Sequence, residues 1–395
     1  MREVFIIAAT RTPVAKAPHG KLRTVRADEF GALVVRELLR RAPAIDPSEI
    51  EDVILGCAMP EGAQGFNLAR IVAHRAGLPH SVPGVTINRF CSSGLEAIAM
   101  GAQRILAGMA NVVLAGGAES MSQVPMFGHR TTLNPALVDT QPDAYLPMGL
   151  TAENVAQRHS ITRADQDGFA YESHRKAIAA LDAGRFIDES VAVPVREVTL
   201  DARHQRVVNE FIFTTDEGPR RDTTLEKLGT LKPAFSPRGS VTAGNSSQLS
   251  DGAAAVLLVS GERLKSLGAT VRPLARFVSY AVGGVAPEVM GLGPIVSIPK
   301  VLQRAGLTVA DLDLIELNEA FAAQALAVIR ACDLPPEKVN VNGGAIALGH
   351  PLGATGARLT VSILAELRRR RARYGLVTMC VGGGMGGAGI FENLI

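Results

Sequence analysis

The sequence predicts an α/β protein built from two related layered domains and one inserted segment, and three observations carry that expectation. Short apolar runs alternate with longer stretches of helical periodicity, the pattern of stacked α/β layers rather than of a helical bundle or a β-sandwich. The order of elements near the start of the chain recurs near its end, which is the mark of a duplicated domain. Residues 121–245 follow neither pattern and are too long for a plain loop.

Taken in order, Val4 to Ala9 is an apolar run of strand length. Asp28 to Arg41 follows, with Phe30, Leu33, Val34, Leu38 and Leu39 at helical spacing. Val53 to Leu55 and Val85 to Ile87 read as strands, Ser92 to Leu106 as a helix, and Asn111 to Ala115 as another strand. In the second copy, Leu312 to Leu317 matches Ile50 to Leu55, and Val339 to Asn342 matches Val85 to Asn88. Gly375 to Met379 matches the strand that starts at Asn111. Two copies imply two related domains rather than a solenoid. The intervening stretch is richer in Pro, Arg, Asp and His, contains a helix from Thr162 to Leu181, and reads as an insertion carrying ligand contacts. Leu249 to Val259 returns to a core pattern and completes the first domain. The expected division is residues 1–120 with 246–270, an inserted domain at 121–245, and a second copy at 271–395.

Composition narrows the function. Hydrophobic residues are 47% and charged residues 20%, the balance of an ordered globular protein. A net charge of +3 with no Trp and only 4 Tyr gives no footprint for nucleic acid. The run Arg368 to Arg371 follows an apolar helical pattern and reads as a basic helix C-terminus. No apolar stretch reaches the roughly 18 residues of a membrane span. The first ten residues read as a strand rather than a secretion signal, and no peroxisomal signal ends the chain, so a cytoplasmic location is expected. The four cysteines form no Cys-x-x-Cys pair, so no zinc or redox motif is expected. Cys57 and Cys332 read as small buried hydrophobes.

Four segments carry chemistry. Cys91 lies where the strand ending at Asn88 turns through small residues into a helix, and a thiol against the positive end of a helix dipole is favoured as thiolate. Taken alone, a catalytic thiol and a buried Cys are equally good readings. His350 lies between Gly349 and Pro351 in a segment with five glycines in fifteen residues, Asn342 to Gly356, which core packing explains poorly. Imidazole is the usual activator of a thiol. The duplication places His350 in copy two where Cys91 stands in copy one, so the two are expected to face each other across a pseudo-twofold axis. Cys380 ends a strand and opens the glycine turn Gly382-Gly383-Gly384, whose amides are suited to an oxyanion. Asn318 lies where a strand passes into a helix; an N-cap is its ordinary role.

As a set and in this order, Cys91-Ser92-Ser93-Gly94, Asn318-Glu319-Ala320-Phe321, Gly349-His350-Pro351 and Cys380-Val381-Gly382-Gly383-Gly384 resemble the thiolase family, over nearly the whole chain. The resemblance implies two similar αβαβα-layered domains with five-stranded mixed sheets plus a loop domain. It implies an acyltransferase in which Cys91 takes the acyl group and His350 activates it. Cys380 would be the acid/base. Asn318 would hold a water for one oxyanion site, and the amides of Cys91 and Gly382 would form the other. Coenzyme A is then a substrate rather than a tightly bound cofactor. Ser247, Met148 and Phe235 match its pantetheine contacts, and Arg220 and Arg221 suit its phosphates, although a solvated basic loop explains these two arginines equally well. No metal is expected. A homodimer or homotetramer is. The sequence Asn88-Arg89-Phe90-Cys91 favours a degradative 3-ketoacyl-CoA thiolase of fatty-acid β-oxidation, while the turn after Cys380 suits the biosynthetic acetoacetyl-CoA enzymes as well. A non-catalytic lipid-carrying homologue is disfavoured because all four catalytic positions are filled. The related decarboxylating ketoacyl synthases, which act on acyl-carrier proteins, lack this second cysteine.

Overall fold

The structure is a computed structural model and describes residues 2–394. Its strands are β1 (Val4–Arg11), β2 (Ala15–Lys16), β3 (Asp52–Gly56), β4 (Gly84–Ile87), β5 (Val112–Ser120), β6 (Val193–Leu200), β7 (Arg206–Phe213), β8 (Ser250–Ser260), β9 (Ala275–Gly284), β10 (Leu314–Leu317), β11 (Tyr374–Val381) and β12 (Met385–Glu392). Ten of them form one sheet in the order β4-β3-β5-β8-β1-β9-β12-β11-β10, with β2 paired to β8. The order is palindromic. β4, β3 and β5 run parallel and β8 is antiparallel to both β5 and β1; on the other side β10 and β11 are parallel and β12 is antiparallel to both β11 and β9. The duplication is therefore present in the topology itself.

Two details differ from the expected pair of five-stranded sheets. The halves join into one sheet, because β1 and β9 pair antiparallel at Phe5–Arg276 and Ile6–Ala275. The fifth strand of copy two, expected at Val339 to Asn342, shrinks to a single bridge between Val339 and Ile315. Asn340 explains this. Its backbone turns left-handed (φ 46°). Its side chain then takes over the ladder, accepting from Leu317 N–H at 2.9 Å and donating to Leu317 C=O at 2.8 Å.

Helices Ala27–Arg41 and Leu68–Ala76 cover the outer face of the first half, and Gly293–Ala305 covers that of the second. Helices Ser93–Leu106 and Leu352–Arg370 lie between the halves, against each other and against strands of both. This gives the αβαβα layering. Leu352–Arg370 is buried almost all round, as a central helix must be. The two helices approach closely enough that a Cβ on Gly94 would lie 2.8 Å from Ala357 N. β12 was not evident in the sequence because its glycines read as a turn. They are there for contact: a Cβ on Gly386 would lie 2.1 Å from Gly293 O.

The inserted region holds helices Met148–Arg158 and Arg163–Asp182 and the β6–β7 hairpin. Thr162 caps the second helix in a reciprocal capping box with Asp165. Arg11, fully buried, ties the insertion to β1 through Glu189 at 2.6 Å and Asp216 at 2.8 Å. The Arg368–Arg370 run forms the last turn of helix Leu352–Arg370, and no helix among the described residues is long and apolar enough to cross a membrane.

Candidate active site

The two central helices begin at one end of the sheet, and their leading turns carry Cys91 and His350. Cys91 sits in a single 3-10 turn, Phe90–Ser92, that runs into helix Ser93–Leu106. Phe90 takes a left-handed backbone (φ 42°), a strained conformation for a bulky residue. The strain is held by side chains: Asn88 Oδ1 accepts from Phe90 N–H at 2.8 Å, and Ser93 Oγ accepts from Arg89 N–H at 2.8 Å. Cys91 is half-buried and packs with Ala58, Met121 and Leu352.

The expected thiolate is not the resting state. The amides of Gly382 and of Cys91 itself favour a charged sulfur, but burial outweighs them and the Cys91 thiol is pushed up to about 11, with Glu119 adding to the rise. One short turn of amides does not offset desolvation here. Burial likewise holds His350 down to about 3, with Arg358 next in effect. Thiol and imidazole thus both rest neutral around pH 7. Among the described residues no hydrogen bond joins them.

His350 is held at its backbone N–H and at Nδ1, and its Nε2 has a neighbour as well. Its N–H donates to Ser250 Oγ at 3.0 Å. Its Nδ1 lies 2.6 Å from Thr355 Oγ1, and its Nε2 lies 3.3 Å from Asn318 Nδ2. Asn318 does not cap helix Ala322–Ala331; Phe321 holds that position. The Asn318 amide faces His350 instead, and its Oδ1 is buried with no protein partner.

Cys380 ends β11 and is fully buried. Its thiol is pushed well above the ordinary value, by burial first and by the nearby Cys91 second. Gly382, two residues on, directs its N–H at the Cys91 sulfur. A Cβ on Gly382 would sit 3.6 Å from Met148 Sδ and 3.7 Å from Phe90, so Met148 and Phe90 flank the glycine turn beside the two thiols.

Three expected coenzyme A contacts converge on Ala320-Phe321, beside Cys380. Met148 packs with Ala320, Phe321 and Cys380. Ser247 N–H donates to Ala320 C=O at 2.9 Å, and the Phe235 ring meets Phe321 edge-on at 6.0 Å. The two arginines separate. Arg220 lines a cavity of about 260 Å³ with His174, Lys227, Thr230 and Gln248. Arg221 points elsewhere and is paired with Asp182.

Several residues here were not singled out in the sequence. Glu119 is buried and accepts from Ala58 N–H at 2.6 Å and Gly353 N–H at 2.8 Å, clamping the loop after β3 to the start of helix Leu352–Arg370. Burial pushes its carboxyl up. Its only signal was a Glu at the end of an apolar strand. Thr355 and His174 gave no signal of their own. His174 reads in sequence as an ordinary histidine, yet it accepts from Arg220 N–H at 3.2 Å inside the cavity wall.

The fold and this pair of thiols define an enzyme of acyl transfer. The comparisons narrow that class to a family: residues 4–262 match "Thiolase, N-terminal domain" and residues 271–393 match "Thiolase, C-terminal domain", so the chain belongs to the thiolase family. It is 54% identical over 392 residues to a 3-ketoacyl-CoA thiolase of Bacillus subtilis (strain 168), covering 99% of this chain and 100% of that one. It is 48% identical over 398 residues to an acetyl-CoA acetyltransferase of Pseudomonas aeruginosa, covering 98% of each. The crystal structure of the Bacillus anthracis acetyl-CoA acetyltransferase superposes with a TM-score of 0.90 at 43% identity, covering 100% of this chain and 99% of that one.

Proposed function

We propose that this thiolase cleaves 3-ketoacyl-CoA with free coenzyme A, as in fatty-acid β-oxidation, through an acyl-Cys91 intermediate. The observation that carries the reading is the pair of thiols at one glycine turn: Cys380 ends the strand that opens it, and its Gly382 N–H faces Cys91. One thiol serves for nucleophilic attack and one for proton transfer at carbon. Cys91 gives its proton to His350 and attacks the 3-keto carbon. The bond between the α- and β-carbons breaks, and Cys380 protonates the departing acetyl-CoA enolate. Coenzyme A then gives its thiol proton to Cys380, attacks the acyl-Cys91 thioester and releases acyl-CoA; Cys91 recovers its proton from His350. The enolate charge on the thioester oxygen is met by His350 and by a water held at Asn318, and the oxyanion on the carbon bound to Cys91 by the amides of Cys91 and Gly382.

Met148, Ser247 and Phe235 border the path of the pantetheine arm, and the cavity holding Arg220 and Lys227 suits phosphate. Arg221 is paired with Asp182 at the surface, and so exposed a pair leaves it able to meet the nucleotide end. On this reading residues 1–120 with 246–270 supply Cys91, residues 121–245 supply the coenzyme A contacts, and residues 271–395 supply His350, Asn318 and Cys380. The chain acts in the cytoplasm and binds no tight cofactor. It assembles at least as a dimer: β4 is an open sheet edge, and near it Phe66 is wholly exposed.

The test follows acetoacetyl-CoA absorbance after free coenzyme A is added, with a chain-length series of 3-ketoacyl-CoA substrates. Loss of absorbance, with turnover of longer 3-ketoacyl-CoA substrates as well as of acetoacetyl-CoA, is the expected result. Activity confined to acetoacetyl-CoA would favour the biosynthetic reading, which two of the relatives named above support. No turnover of any of these substrates would exclude both.

A further inference from the structure

The imidazole of His350 has two nitrogens, and only one can be the base that serves Cys91. Which one is free is decided by what holds the other. Thr355 Oγ1 lies 2.6 Å from His350 Nδ1 and 3.0 Å from the carbonyl of Pro351. A hydroxyl has one proton. A carbonyl oxygen can only accept, so that proton belongs to the Pro351 contact. The lone pairs of Oγ1 are then what faces Nδ1, and Nδ1 must carry the ring proton. With the ring proton on Nδ1, Nε2 carries the ring's one free lone pair, and the Asn318 side-chain amide borders it at 3.3 Å. Thr355 is fully buried, as is the ring, so no bulk water competes for either nitrogen.

We propose that Thr355 is a positioning residue for the thiolase reaction: its hydroxyl locks His350 with the proton on Nδ1 and keeps the Nε2 lone pair for the Cys91 proton. The inference rests on the reading of His350 as the activating base. It assigns Thr355 no contact with substrate.

The lock has a local origin. Thr355 stands in the first turn of helix Leu352–Arg370, where a threonine hydroxyl readily bonds the carbonyl four residues back. Such a back-bond is common and by itself means little. Here it consumes the only proton on the hydroxyl and so converts Thr355 into a pure acceptor aimed at Nδ1. The lock also keeps its sense through the cycle. When Nε2 takes the Cys91 proton, the ring is cationic and Nδ1 still donates to Thr355. Nε2 then becomes a donor and can serve the oxyanion without any change at Nδ1. The neutral ring of the resting state persists well below pH 7, so the tautomer is observable at neutral pH without titrating His350.

The experiment is ¹⁵N spectroscopy of histidine-labelled protein at pH 7, with His350 assigned by its loss in His350→Asn. Nδ1 of the wild type is expected to appear protonated and Nε2 unprotonated. Thr355→Val keeps the volume and removes the acceptor; it is expected to move the proton to Nε2 in part or whole and to lower kcat about 10–100-fold with KM little changed, the usual effect of losing an orienting partner. Thr355→Ser should restore both the tautomer and most of kcat. A wild-type proton on Nε2 overturns the proposal whatever the variants do. So does a folded Thr355→Val with wild-type kcat. If Thr355→Val fails to fold, the wild-type spectrum decides. Because that spectrum needs no substrate, a protein inactive on 3-ketoacyl-CoA would sink the proposed function and leave the tautomer assignment standing.

Discussion

The turn that delivers Cys91 and the turn that delivers His350 occupy matching places in the two halves, yet they are built to opposite ends. The first is strained and half-open: Phe90 sits at φ 42° and Cys91 keeps partial exposure. The second is closed, with His350 buried and both ring nitrogens engaged. A nucleophile must be reachable by a substrate, whereas a base must hold one orientation and one protonation state. Duplication supplied two strand-turn-helix frames, and the side chains around each have specialised it. At Cys91 the amides at the helix start favour a charged sulfur yet do not outweigh burial, whereas at His350 the positive end of a helix acts with burial against the imidazolium.

The largest effect should come from removing the group that the first turn exists to present. Cys91→Ala is expected to lower kcat by about 10⁶-fold, the order seen when an acyl-transfer nucleophile is deleted. Incubation of the wild type with acetyl-CoA should leave an acetyl group on Cys91, visible by mass spectrometry of peptic fragments. Label on Cys380 or Cys57, with Cys91 unmodified, would sink the assignment of Cys91 as the nucleophile that the first turn presents.

Next is Cys380→Ser, expected to cost about 10²–10⁴-fold in acetoacetyl-CoA cleavage, the usual worth of a positioned acid/base. Acetylation of Cys91 by acetyl-CoA should persist. A variant that cleaves at the wild-type rate would reduce Cys380 to a packing residue.

The third prediction concerns protonation. With the Cys91 thiol near 11, its alkylation by iodoacetamide should be slow at pH 7 and rise about tenfold per pH unit, levelling only near pH 11. The sign follows from the raised value: a thiol shifted upward gains thiolate only at higher pH. Levelling below pH 8.5 would mean that the dipole and imidazole prevail over burial, and the two turns would then differ less than the structure has it.

Much of this was legible in the sequence, for a physical reason. Strand runs and central helices leave a periodic apolar trace, so β1, β3, β5, β8 and both central helices were visible. Cys91 and Asn318 stand where a strand gives way to helical structure, and His350 and Cys380 stand beside runs of glycine, and such places leave a mark in a sequence. What stayed hidden depends on partners distant in sequence. β12 looked like a turn because its glycines answer to Gly293 and Ser92. The strand expected at Val339 was lost to a side chain, Asn340, doing the work of a backbone. Glu119 and Thr355 matter only through what folding brings to them, Gly353 and His350. The thiolate expected at Cys91 rests on a dipole that can be read from local order, whereas the burial that pushes this thiol up cannot.

A fourth prediction probes the seam that holds the two turns in register. A methyl group on Gly94 would meet the backbone of the facing helix, at Ala357 N (2.8 Å) and Gly353 O (2.9 Å), and neither can move without shifting the segment that carries His350. Gly94→Ala should therefore destabilise the protein by about 1–3 kcal/mol, the usual penalty of overpacking, and lower kcat beyond what the loss of folded protein explains. The comparison needs a glycine where the same change meets nothing. Gly168 lies inside helix Arg163–Asp182 of the insertion, with no atom within 4 Å of an added Cβ. There only the backbone term remains, and alanine is better than glycine in a helix interior by about 0.5–1 kcal/mol. Gly168→Ala should thus stabilise the protein slightly and leave kcat and KM unchanged. Urea denaturation of both variants against wild type, with activity measured on the folded fraction, reads the pair. Equal and opposite shifts in midpoint are not required; opposite signs are. If both variants are destabilised alike, the cost at Gly94 is not specific to the seam, and the close approach of the two central helices is not what aligns Cys91 with His350.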